Sequence, residues 1–156
     1  MSERHPKMSD NLSPGLGTTI AVSAALPATD NVAGYGALTF TTIGEVTDIP
    51  SFGPEHDVVT HVPLATGLTA KYHGSKNTGS LTVPMALDRT DDGQTALKDA
   101  LSSKDRIAFE ITYADGSIDY FSGKVFSFTR GASIGEVVTA EVMIEIETDI
   151  IEDDAA

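Results

Sequence analysis

The sequence predicts a mainly β protein, an antiparallel β-sandwich or partly closed barrel with one flanking α-helix. Three observations carry that expectation. Apolar residues recur at every second position in several separate segments, the mark of half-buried strands. A single segment shows an apolar stripe at helical spacing. Glycine and proline punctuate the chain at short intervals, and no internal repeat or linker divides it.

In order, residues 1–16 form a polar arm that contains two prolines and is expected to be ordered only by a partner. From Thr18 to Leu26, Ile20, Val22, Ala24 and Leu26 alternate with Thr19, Ala21, Ser23 and Ala25, which reads as a strand. Pro27 to Gly36 is turn-rich. Leu38 to Ile49 is β-branched and aromatic and reads as a second strand, with a bulge expected near Ile43-Gly44. After the middle of the chain, Leu81, Val83, Met85 and Leu87 share one face of a strand from Ser80 to Leu87. Pro84 places that strand at a sheet edge or a bulge, because it lacks the N–H a ladder needs. Asp91 is set to cap the one helix, with Gln94 completing a capping box; Ala96, Leu97, Ala100 and Leu101 are its buried stripe, and it should end near Ser103. Ile107, Phe109, Ile111 and Tyr113 begin a hairpin that turns at Asp115-Gly116, a pair suited to a primed turn. Its return strand holds Ile118 to Phe128 and changes face near Gly123, where a bulge is expected. In the last strand Val138, Ala140, Val142, Ile144 and Ile146 oppose Val137, Thr139, Glu141, Met143, Glu145 and Glu147. Residues 150–156 read as a solvated acidic tail. The body of the domain is thus 17–149.

The middle, residues 50–78, has no periodicity of its own and reads as a long loop. Structureless connections beyond roughly 15 residues are functional or disordered. Yet Phe52, Val58, Val59, Val62, Leu64, Leu68 and Tyr72 are not a disordered composition. An apolar segment that its own domain cannot cover implies a surface completed by another molecule. These seven residues are therefore candidate contacts between subunits.

Composition narrows the function. The formal charge is −13, which argues against a general nucleic-acid binder, since such a protein needs a basic face to displace counterions from phosphate. Absence of cysteine excludes disulfides, thiolate metal sites and cysteine catalysis. No run approaches the ~20 apolar residues of a membrane span, so no membrane insertion is expected. Glu55, His56, Asp57 and His61 are the only cluster resembling metal ligands, and their spacing fits no known ligand pattern. No GxxxxGK[ST] or GxSxG pattern is present, and Gly15-Leu16-Gly17 follows no strand. Glu141, Glu145 and Glu147 line one strand face at alternate positions, each step about 7 Å, a solvated row more than a catalytic pair. No enzyme, cofactor or metal is expected.

The order of elements resembles the major tail tube proteins of long, non-contractile-tailed bacteriophages and of gene transfer agents. Asp57-Val58-Val59-Thr60 enters the long segment, Gly79-Ser80-Leu81-Thr82-Val83 resumes the sheet, and Phe121-Ser122-Gly123-Lys124-Val125 follows the hairpin, as phrases of those forms do in the family. The resemblance spans roughly 17–149. It lacks the added C-terminal immunoglobulin-like domain and the glycine-rich tail of some members, so a minimal single-domain version is expected. The resemblance implies a ring of six subunits whose inner sheets join into one continuous β-barrel, with rings stacked into a hollow tube that conducts DNA without binding it. It implies a tape measure protein, a tail terminator and a distal tail protein as partners. It also implies a place in the virion tail after synthesis in the host bacterial cytoplasm, and long-loop and arm contacts between rings. The lumen of such tubes is electronegative, which makes Glu141, Glu145 and Glu147, then Glu45 and Asp48, candidate lumen residues. A terminator or distal ring protein, and more remotely a monomeric β-sandwich binding module, are the alternatives.

Overall fold

The computed structural model describes residues 12–154. Its strands are β1 (Thr19–Ser23), β2 (Thr41–Thr42), β3 (Glu55–His61), β4 (Ala70–Asn77), β5 (Ser80–Ala86), β6 (Ile107–Thr112), β7 (Ile118–Gly131), β8 (Thr139–Ile146) and β9 (Ile151–Asp153), with helices α1 (Val32–Gly36) and α2 (Asp92–Ser103). One antiparallel sheet runs β2-β1-β6-β7-β8-β5, with β9 on the start of β7; β3 and β4 make a separate hairpin. The fold is mainly β, as the alternation requires.

The sheet closes on itself in an unusual way. Thr41 and Thr42 pair with β1, and the Ile43 amide donates to the Ile20 carbonyl. A few residues later, Val46 bridges Met85, the Thr47 amide donates to Pro84, and the Ala86 amide donates to Glu45. A single short segment therefore joins β1 and β5, the strands at opposite ends of the sheet, and makes the partly closed barrel. Pro84 turns its donor-free nitrogen toward this sparsely bonded side, and there its missing N–H costs no regular ladder bond. The long second strand expected over 38–49 is cut to β2 and this bridge, because Glu45 takes a left-handed φ of 62° and breaks the extended run.

Inside the barrel, one face of every main strand meets in one cluster: Ile20 and Val22, Leu81 and Val83, Phe109 and Ile111, Phe121, Val142 and Ile144, with Leu97 and Ala100 from α2. Phe109 and Phe121 stack at 5.2 Å. The start of α2 is fastened to the closing segment. Asp91 accepts from the Gln94 amide, as a cap should, and its same oxygen accepts from Gly44. The capping box does not form. Gln94 is fully buried and turns away from the helix start: its Oε1 accepts from the Asp88 amide and its Nε2 donates to the carbonyls of Gly44 and Ala86. Three half-buried backbone groups take this amide, while the Asp91 N–H that a capping box would serve already donates to the Asp88 carbonyl.

Four further expectations change. The turn-rich stretch contains α1, capped by Asn31, whose Tyr35 is buried and bonds Ser122 at 2.7 Å. The bulge in β7 falls between Val125 and Ser127, not at Gly123, leaving Phe126 exposed. Gly123 is needed for closeness instead, since a side chain there would collide with the Glu145 carbonyl. At Asp115-Gly116 only Gly116 has positive φ (92°), so the turn is not of the primed kind. The supposed loose tail holds β9, with Ile151 paired to Tyr120 and Asp153 to Ile118. The expectation for residues 1–11 of the arm falls outside the described residues, as do 155 and 156.

Candidate assembly surfaces

The outer face of the sheet is clothed at one end and bare at the other. Over β1, β6 and the first turns of β7, Tyr35, Val32, Leu38, Phe40 and Ile151 pack on Ala108 and Tyr120, with Tyr35 and Tyr120 stacked at 5.3 Å. Over β5, β8 and the second half of β7 no element of the described residues covers it. The register puts Ser80, Glu145 and Lys124 in one row there, Thr82, Met143 and Ser127 in the next, and Pro84, Glu141 and Thr129 after that. The bridge at Val46 continues these rows to Thr47 and Glu45. Beyond Val125 the backbone of β7 bonds β8 alone among the described residues, so this strip has an open margin.

The acidic candidates separate on this face. Glu141, Glu145 and Glu45 belong to the uncovered rows. Glu147 lies at their end but is engaged: Arg106 bonds it at 2.7 Å and Lys124 approaches to 3.5 Å. The hydrogen bond from Arg106, ahead of the attraction of Lys124, holds the Glu147 carboxyl below the usual range. A depressed folded pKa adds stability that is fully present above the unfolded value, about 4.3, and is lost as pH falls through the folded one. Glu147→Gln is therefore expected to cost most stability above that pH and progressively less below it; urea titrations of both proteins across pH 3 to 7 measure the difference. Asp48 departs from the row and lines a groove.

That groove has a volume of about 1130 Å³. It runs between residues 13–18, 46–54 and 149–152, with Tyr113 and Asp119 among its walls. The Tyr113 hydroxyl donates to Asp119 at 2.7 Å, and burial together with that carboxylate raises its pKa. Sequence reasoning did not foresee the groove, because its walls come from five separate stretches of the chain.

The middle segment is not a structureless loop. Residues 55–77 form the β3–β4 hairpin, with a register shift between His56 and Val58 and Val59 opposite Tyr72. The β-branched run Val58-Val59-Thr60 was the available signal; consecutive apolar residues hid it, since neither face is buried. Val58, Val59, Val62, Leu64, Leu68 and Tyr72 are all exposed, Leu64 completely. Phe52 is the exception: its ring lies 5.9 Å from Phe121 and packs on the barrel core. At the hairpin base Lys76 pairs with Asp149 at 2.7 Å, and Asp57 accepts from Ser75 at 2.6 Å. His56 meets His73 edge to face at 5.1 Å, but no three metal-ligating side chains gather among the described residues.

A barrel left bare on one strip, with an apolar hairpin that its own domain does not support, is the architecture of a subunit in a larger structural assembly. The chain belongs to the lambda phage tail tube protein family, whose model matches residues 55–149. It is a structural subunit of a tail tube, and its place is the tail of the particle. Solved structures share the fold. The tail of an empty gene transfer agent particle, determined with C6 symmetry, is 16% identical with a TM-score of 0.67, covering 92% of this chain and 100% of that one. The SPP1 tail tube is 14% identical with a TM-score of 0.65, covering 90% and 79%. The tube-terminating cap of the anti-feeding prophage is 11% identical with a TM-score of 0.63, covering 97% of each. No curated protein matches the sequence. No helix of the described residues is long and apolar enough to cross a membrane.

Proposed function

We propose that six copies form a ring in which the uncovered strips join edge to edge into one barrel around a lumen, and that rings stack through the β3–β4 hairpin and the terminal arm. The observation that carries this reading is the bare strip with its open β7 margin. The stretch 45–47, β5, β8 and β7 alternate in direction, so the free margin of β7 can meet the 45–47 side of a neighbour and remain antiparallel. Closure of this kind removes the exposed edge that would otherwise template aggregation. The domain runs from residue 17 through β9, with the hairpin-bearing segment 50–78, and the arm 1–16 acts at its contacts. A tape measure protein within the lumen and terminator and distal tail proteins at the ends complete the assembly.

Glu141, Glu145 and Glu45 then face the lumen and offer passing phosphates no binding energy, so DNA slides through unbound. Glu141→Lys with Glu145→Lys is expected to leave tubes intact but to make them retain DNA at low salt. DNA co-sedimentation below 50 mM salt reads this; tubes that stay indifferent to DNA would take these two residues out of the lumen. The reading as a whole is tested by negative-stain microscopy of the protein over a concentration series. Stacked hollow tubes support it. Single rings that never stack favour the terminator reading, which the likeness to a terminating cap keeps in view. A protein that is monomeric at every concentration sinks ring closure by the chain alone.

A further inference from the structure

We infer that the hairpin of one copy seats in the groove of a second copy, matched by charge as well as by apolar surface. The inference rests on the stacking reading above and supplies its missing half, the receiving surface.

The charge pattern of the chain is uneven. It holds 23 acidic residues in 156, yet none occurs between Asp57 and Asp88. That stretch contains the whole outer part of the hairpin, which carries His61, Lys71 and His73 among its exposed Val59, Leu64, Leu68 and Tyr72. It is an apolar projection with a positive bias on a protein of net charge −13. The groove has the opposite character. Asp48, Asp119, Asp149 and Glu152 line it, and the only cation among its described residues, Lys76, is already paired with Asp149. Between these acids lie apolar walls such as Ile49 and Ile150. Projection and recess are therefore complementary in two independent respects.

The two cannot meet within one molecule. Lys76, at the hairpin base, lines the groove, whereas the tip lies the length of a seven-residue strand away, roughly 20 Å. The contact must be made between copies. Because projection and recess are different patches, the contact is heterologous and repeats from copy to copy without exhausting itself.

Charge exchange tests this. Lys71 and Asp48 make no salt bridge in the monomer among the described residues, so Lys71→Glu and Asp48→Lys should fold normally, as circular dichroism would verify. Each is expected to raise the concentration needed for tube growth at least tenfold, by sedimentation and microscopy, and the double variant to recover most of the loss. Single variants that assemble like the parent, or a double variant no better than the worse single, would overturn the docking while leaving the stacking reading standing. If the parent itself never stacks, it is that reading which fails. A second probe exploits the absence of cysteine. Leu64→Cys with Ser51→Cys should give a ladder of disulfide-linked oligomers on oxidation of assembled protein. No ladder, with assembly abolished instead by removing residues 1–11, would assign the groove to the arm and overturn the inference.

Discussion

Gln94→Leu is expected to destabilise the folded monomer by about 3 kcal/mol, although leucine matches the side chain in size. The amide is the only partner described for the Asp88 N–H and, with its nitrogen, holds the carbonyls of Gly44 and Ala86. A buried polar backbone group left unpaired costs about 1–3 kcal/mol, and the partial exposure of these bonds puts the sum near the lower end. Against a total stability of about 5–15 kcal/mol the loss is large. Gln94→Glu should be worse still at neutral pH, because a carboxylate cannot donate to either carbonyl. Urea unfolding of the three proteins measures both effects. A Gln94→Leu loss below about 1 kcal/mol would mean that the closing segment holds without its cross-link.

Replacing residues 58–73 by a short glycine-serine turn should have the reverse profile. The hairpin pairs only with itself and buries none of its large apolar side chains. Its removal is expected to change monomer stability by no more than about 0.5 kcal/mol, the range of surface changes. Tube formation should be lost altogether. Thermal melts and microscopy of the same sample separate the two quantities. Normal tubes from the shortened chain would show that stacking relies on other surfaces.

Much of the barrel was legible because its strands are half-buried and therefore alternate. Val142 and Ile144 against Glu141 and Glu145 state both the strand and its faces, and Leu97 with Ala100 do the same for α2. What was hidden lacked that asymmetry. The hairpin is exposed on both sides, so Val58 and Val59 follow one another without a period. Gln94 looked like half of a local cap, since nothing in sequence reveals that Gly44 and Ala86 come within its reach. Glu147 looked equivalent to Glu141 and Glu145 until Arg106 and Lys124 were found beside it. Asp48 looked like a partner of Glu45, but it shares the parity of Val46, so alternation past the bridge turns it away from the row that Glu45 and Thr47 continue.

The hairpin and the groove give the chain a direction. If each copy inserts forward and receives from behind, every column of copies ends in a vacant socket on one side and an unclothed finger on the other. The two mouths of the tube are then chemically unlike: one acidic and recessed, the other greasy and mildly cationic. A protein that caps the socket end must imitate a finger, and one that caps the finger end must imitate a socket. Neither can do the other's work, so the polarity of the whole tail is already written in a single subunit.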